Sequence, residues 1–266
     1  LIQIDPEDED IKINIARCYI ALDKQEDAEE LLKKLDAKNS DNVEIMALYA
    51  DYFLLKNDFQ KALEFTQKIR QKLPNSPFSY RKSAEIFGKI NDKFNYHYNY
   101  GVYHQLKGER ELAIDEYTWA LEINPKHLDT LLKLASMYEG TEESYIAVEY
   151  YQRVLQAEPT YLDALKKIGQ IYFRTKDFET SHKFFEEYIE KNPSDNDAYY
   201  LNAESLYKMK DYEKALENYK IHQERGIVST VDEEVKNRIS ELEAKFKPVE
   251  DEGLLSKIFN IFNTNK

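Results

Sequence analysis

Five prolines in this chain stand where an apolar-periodic run ends, and their spacing restricts the fold more than any other feature. Pro6, Pro74, Pro125, Pro159 and Pro193 are separated by 68, 51, 34 and 34 residues (74−6, 125−74, 159−125, 193−159). A 34-residue unit accounts for three of these intervals as two, one and one periods, and the interval of 51 is one and a half. Proline ends helices because it has no N–H to donate and its ring clashes with the preceding turn. A period of this length points to a small supersecondary unit repeated along the chain, so stacking in series is expected.

Frames of 34 residues starting at Glu9, Val43, Phe94, Leu128, Leu162 and Asn196 agree at several independent places. The eighth place is small: Ala16, Ala50, Gly101, Ala135, Gly169 and Ala203. The eleventh holds Tyr19, Phe53, His104, Tyr138, Tyr172 and Leu206. The twentieth is small again, with Ala28, Ala62, Ala113, Ala147, Ser181 and Ala215. Four places later come Leu32, Thr66, Tyr117, Tyr151, Phe185 and Tyr219. Small residues let two helices approach closely, and the large ones fill the space between them. One such pair buries too little to stand alone, so each must stack on its neighbours. The turns between paired helices read Lys107–Gly108–Glu109, Lys56–Asn57–Asp58, Lys176–Asp177 and Lys210–Asp211. Glycine suits a helix end, and Asn or Asp can cap the next helix.

This set of residues resembles the tetratricopeptide repeat (TPR) family over nearly the whole chain. The frame from Phe94 to His127 carries Gly101, Ala113, Tyr117, Ala120 and Pro125 in register, but His97 stands where the family favours Trp and His104 where it favours Tyr. The last frame has Asn202 at a usual Leu place and Ile227 instead of the terminal Pro. The resemblance implies an all-α, right-handed α-solenoid of stacked antiparallel helix pairs, the TPR superhelix.

The half period falls between Pro77 and Phe94. Tyr80, Ser83, Ala84 and Phe87 occupy first-helix places, yet Lys93–Phe94 leads directly into the next first helix. Two explanations are open: an unpaired helix, or a stretch of about 17 residues missing near 92–94. The expected organisation is a remnant of a preceding repeat over 1–8, two repeats over 9–76, a first helix alone over 77–93, and four repeats over 94–229. A capping helix over 230–247 follows, since Val231, Val235, Ile239, Leu242 and Phe246 recur at helical spacing. Residues 248–266 read as a polar linker and a short amphipathic tail. Leu1–Asp5 resembles the end of a second helix without its first, and no initiator Met is present, so the chain reads as a fragment.

Composition bounds the partners. Fifty Asp and Glu against 37 Lys and Arg leave a formal charge of −13, which argues against nucleic acid or an anionic membrane as a general partner. The one cysteine, Cys18, excludes an internal disulfide and reads as a small buried helix residue. His97 and His104 have no third ligand near them in sequence, and no metal or cofactor is expected. The sequence has no phosphate-binding glycine loop, nucleophile elbow or H-E-x-x-H motif, so no catalytic residue is assigned and the chain is not expected to be an enzyme. The compartment is left open, with the cytoplasm favoured.

In TPR proteins the first helices line a concave groove that receives a peptide or partner helix. The resemblance places Arg81, Tyr98, Asn99, Val102, Gln105, Leu132, Lys133 and Ser136 on that wall. Further along it places Lys166, Lys167, Gln170, Phe173, Arg174, Tyr200, Glu204, Tyr207 and Lys208. Basic groups beside aromatics suit an acidic or carboxylate-bearing protein partner, against the plainer reading of a solvated Lys/Arg face. The two-Lys, two-Asn, one-Arg clamp of some chaperone-binding relatives is not reproduced: Gln170 and Leu201 stand at its Asn places, and Glu85 and Asp129 spoil a second partial match. In the run Phe94–Tyr103, Tyr100 is assigned to the core and Tyr98 to the groove. Leu254, Leu255, Ile258, Phe259 and Phe262 form the apolar side of the tail. That tail could cap the stack, dock on a partner or, least favoured, lie on a membrane. The leading expectation is a non-catalytic scaffold binding a peptide or protein segment in the groove. The alternatives are an architectural subunit that uses the convex face or ends, and the regulatory region of a longer enzyme.

Overall fold

A computed structural model describes residues 8–225 and 232–246. Among these residues the secondary structure is entirely helical, in fourteen helices. They fall in two compact units, one ending at Glu139 and the other beginning at Gly140. The first contains α1 (Glu9–Ala21), α2 (Gln25–Asn39), α3 (Val43–Leu55), α4 (Phe59–Lys72), α5 (Pro77–Lys89), α6 (Lys93–Lys107), α7 (Arg110–Ile123) and α8 (Leu128–Tyr138). The second contains α9 (Ser144–Ala157), α10 (Asp163–Arg174), α11 (Phe178–Lys191), α12 (Asn196–Met209), α13 (Tyr212–Glu224) and α14 (Asp232–Phe246). The amphipathic tail, Leu1–Asp5 and Val231 lie outside the described residues.

Two local devices recur among the helix pairs. At the tight turn, one residue adopts a left-handed conformation: Asp23, Asn57, Gly108, Lys176 and Lys210 have φ between 56° and 75°. The backbone N–H after it reaches back to close the first helix, as in Asp58 N to Phe53 O at 2.9 Å and Asp177 N to Tyr172 O at 2.9 Å. The residue bearing that N–H is often an aspartate that caps the second helix. Asp58, Asp177 and Asp211 accept from the backbone N–H three residues on, at 3.1–3.3 Å. First helices start differently: Asp8, Asn42 and Asp195 accept from the N–H two residues on, with the cap backbone extended (ψ 103–123°). The prolines follow the C-caps Leu73, Asn124, Glu158 and Asn192.

These devices explain the half period. Helices α1, α3 and α5 start at 9, 43 and 77, 34 apart, and α2, α4 and α6 each start 16 residues later. Thus α6 occupies the second-helix place of the frame at Pro77. Its start agrees: Asn91 has φ 58°, and Asp92 (ψ 84°) accepts from Asn95 N at 3.1 Å, as second-helix caps do. Its end is that of a first helix, with Gly108 at φ 75° leading into α7. One helix therefore completes the pair begun by α5 and opens the pair completed by α7. Packing fits both roles. Tyr96 lies against Gly88 of α5, where an added Cβ would stand 3.1 Å from its ring. On the other side Gly101 is so close to Tyr117 of α7 that a Cβ would stand 2.5 Å from the ring. The helix expected to be unpaired over 77–93 is α5, and it packs on α6. Serving two neighbours leaves Tyr100, assigned to the core, only half-buried.

The eighth, twentieth and twenty-fourth places are buried in every frame, whereas the eleventh is half-buried except at Leu206. Ala16, Ala28 and Leu32 pack with Ile13, Leu35, Ile45, Leu48 and Tyr52 at one end of the first unit. At the other end of the chain, Ala203, Leu206, Ala215 and Tyr219 join Val235, Ile239 and Leu242 of α14. Cys18 corrects an expectation: it is exposed, because the buried residues of α1 are Ile13 and Ala16 and the helix turns its other sides to solvent.

Candidate protein-interaction surface

In the first unit the predicted wall residues have separate fates. Asn99 and Val102 are 3% and 6% exposed and belong to the packing, which corrects their assignment to a ligand-facing wall. The cause is the double role of α6, which places Asn99 against α4 instead of solvent. Its side-chain amide donates to Asn95 O at 2.7 Å, and its oxygen faces Arg70. Tyr98 donates to Asp129 at 2.5 Å; burial and then Asp129 raise its phenol well above the usual range. Gln105 accepts from Tyr117 at 2.6 Å, and Ser136 donates to Lys133 O at 2.8 Å. The cations are neutralised locally. Arg81 pairs with Glu85 at 3.3 Å, and Lys133 lies 3.8 Å from Asp129. Lys82, absent from the predicted wall, bridges Asp51 and Glu85 at 2.7 Å each. Burial works against its charge, but the two carboxylates prevail and raise its pKa. His97 and His104 pair separately with Glu116 and Glu109.

In the second unit Lys166 on α10 reaches Asp195, the cap of α12, at 2.7 Å, and Tyr188 donates to the same carboxylate oxygen at 2.7 Å. Burial would raise the Asp195 pKa, but Lys166 and Tyr188 outweigh it and hold the carboxyl below its usual range. Lys166 is thus a strut between successive first helices. Lys167 and Gln170 are half-buried. Phe173 is half-buried edge-to-face on Phe178, with ring centroids 5.5 Å apart. Tyr200 leans on Tyr219 and His222, and burial, with Glu204 and Glu234 nearby, pushes its phenol up to about 12. Glu204 is 7% exposed and accepts from Tyr219, so it too belongs to the packing.

Tyr207 belongs to the cap. It donates to Glu241 of α14 at 2.8 Å, and the Arg238 guanidinium lies 4.1 Å from its ring centroid. The wall position is covered because α14 packs where another repeat would stack. Arg174 and Lys208 differ from all of these. Each is exposed, each stands at the thirteenth place of its frame, and neither has an ion pair among the described residues.

Sequence reasoning missed Lys82 and Arg70. Lys82 holds the same sixth place as Lys133 and Lys167, and that equivalence was the available signal; for Arg70 it was the mismatch with Leu121, Leu155 and Ile189.

Comparison with known proteins agrees with the register. The profile described as "Anaphase-promoting complex, cyclosome, subunit 3" matches residues 145–221, and two tetratricopeptide repeat profiles match residues 1–42 and 94–127. No curated protein matches the chain in sequence. Among solved structures, the MamA protein is 18% identical at a TM-score of 0.38, covering 71% of this chain and 97% of its own. YrrB, described as a TPR protein with an unusual peptide-binding site, is 17% identical at 0.45, covering 77% and 97%. In the Cut9–Hcn1 hetero-tetramer of APC/C the match is 12% identical at 0.45, covering 90% of this chain and 50% of that one. The match over 94–127 spans the frame from Phe94 to His127, where α6 and α7 form a helix pair. By its period, its helix pairs and its profile matches, the chain belongs to the tetratricopeptide repeat proteins.

Proposed function

We propose that the chain is a non-catalytic protein-interaction scaffold that receives an acidic peptide or protein segment along the first helices of the second unit. Phe173 and Tyr200 supply aromatic surface for the segment to bury, and Arg174 and Lys208 select its charge. The supporting observation is that these two cations stand exposed at equivalent places with no ion pair among the described residues, while Arg81, Lys133 and Lys166 are neutralised by their own neighbours. The test is co-precipitation of partners by the full chain and by an Arg174→Glu/Lys208→Glu variant. Loss of the captured partners at unchanged helicity supports the reading, and undiminished capture removes it.

A second reading, the architectural subunit, draws on α7. Leu112, Trp119 and Ile123 are 50%, 45% and 48% exposed and follow one another at helical spacing along one side. Under this reading Trp119→Ser abolishes assembly and the charge reversals leave it intact.

A further inference from the structure

Arg70 stands at the twenty-eighth place of its frame, where the next three frames carry Leu121, Leu155 and Ile189 and the first and last carry Asp36 and Gln223. Leu121 is 5% exposed, and Leu155 and Ile189 pack against the core formed by Leu165, Tyr188 and Ala198. An arginine here departs from the three frames that follow, and its surroundings differ as well. At the preceding joint, where Asp36 holds the place of Arg70, the adjoining places are filled by Tyr49 and Phe65, stacked with ring centroids 4.7 Å apart. Between α4, α5 and α6 those places are Ser83 and Asn99. Arg70 therefore faces small polar side chains where the preceding joint has two aromatic rings, and the crevice is polar.

The guanidinium is half-buried in that crevice, yet its partners are neutral. It donates to Ser83 Oγ at 3.2 Å and faces Asn99 Oδ1 at 3.5 Å, and its centre lies 5.0 Å from the Tyr80 ring centroid. Ser83 in turn donates to Thr66 at 2.9 Å. No carboxylate among the described residues pairs with Arg70, and those on neighbouring helices are engaged elsewhere. Asp51 and Glu85 hold Lys82, Glu85 also holds Arg81, and Asp129 takes Tyr98. The Tyr80 hydroxyl has no hydrogen-bond partner among the described residues. Two of the five guanidinium N–H groups suffice for the contacts present, so donors remain. A partly desolvated guanidinium with unused donors binds a carboxylate more strongly than a solvated surface lysine does.

We propose that the crevice between α4, α5 and α6 is a carboxylate-binding site for an acidic side chain of a protein partner, with Arg70 as the receptor and the Tyr80 hydroxyl as a second donor. It rests on the reading that the chain binds acidic protein segments, but it lies in the first unit, apart from Arg174 and Lys208. The test uses the full chain and a fluorescein-labelled, amidated octapeptide of alternating Glu and Leu, with its Gln counterpart as control, read by anisotropy. The Glu peptide binds in preference to the Gln peptide. Arg70→Leu, which installs the residue found in the next two frames, weakens binding about tenfold or more, and Tyr80→Phe weakens it a few-fold. Chemical denaturation of Arg70→Leu shows stability equal to or above wild type. Should that variant fail to fold, Arg70→Gln, which can still donate to Ser83, gives the same binding readout. Equal affinity for the two peptides, no binding of either, or unchanged affinity in the Arg70 variants overturns the site. Loss of binding in the Arg174→Glu/Lys208→Glu variant alone removes the Arg70 site and leaves the proposed function standing. Loss in neither variant removes both.

Discussion

At the scale of single residues, the tightest contact is that of Gly101 with Tyr117. Gly101→Ala gains about 1 kcal/mol of helix propensity, but it forces a methyl to 2.5 Å from a fully buried ring. Overpacking typically costs roughly 1–3 kcal/mol, so the variant is expected to lose up to about 2 kcal/mol in urea denaturation. Lys210 offers the opposite case. Its φ of 66° disfavours any residue with a Cβ, and Lys210→Gly is expected to raise the denaturation midpoint, with a gain of about 1 kcal/mol. Tyr188 and Tyr200 set an alkaline limit. Burial pushes both phenols up to about 12, aided by the hydrogen bond to Asp195 for Tyr188 and by Glu204 for Tyr200. The folded state keeps these protons after the unfolded chain, titrating near 10, has lost them. Their contribution is therefore whole below about pH 10 and disappears as the pH rises to about 12. Tyr200→Phe should flatten the fall in denaturation midpoint across that window, and a slope equal to wild type would count against this assignment.

At the scale of helices, α14 closes the stack through Val235, Ile239 and Leu242, which are 1%, 7% and 0% exposed. Leu242→Ala leaves a cavity against Tyr219 and Leu206 and is expected to cost about 2–5 kcal/mol locally. Hydrogen exchange should then quicken in α12–α14 first, with α1–α8 keeping their protection. The same helix shows where reading residues ran out. The spacing of Val235, Ile239 and Leu242 made a capping helix legible, but not that Arg238 and Glu241 would cover Tyr207. A wall position is defined by its register, whereas its exposure depends on what packs beyond it, which a period does not encode. The half period was legible as an anomaly and not as a solution. Asn91–Asp92 carries the same turn chemistry as Asn57–Asp58, and that match was the overlooked sign that α5 already had a partner.

For the whole molecule, the 34-residue frames located helix starts to within a residue, because small and large residues alternate at fixed places in every unit. Charge was legible only in total. The sequence shows Arg81, Lys133 and Lys166 as a basic series, but each has a carboxylate within 4 Å in the folded chain. Long side chains choose partners among neighbouring helices, so charge pairing is a property of the stack. The interaction assays should follow this division. Neutralising Lys166 is expected to loosen α10 from α12 and lower stability, because it strips a half-buried Asp195 of its cation. Neutralising Lys208 should leave the denaturation midpoint within about 0.5 kcal/mol of wild type.

Repeat arrays commonly lengthen and shorten by duplicating or deleting whole units, since each unit brings both of its helices. The region from Pro77 to Ile123 does not permit this, because three helices there make two pairs. A cut before Lys93 takes Tyr96 away from Gly88, and a cut after Lys107 takes Gly101 away from Tyr117. Recombination at either point orphans a helix, so descendants of this chain should vary in length outside these 47 residues (77 to 123) and keep the seam itself intact.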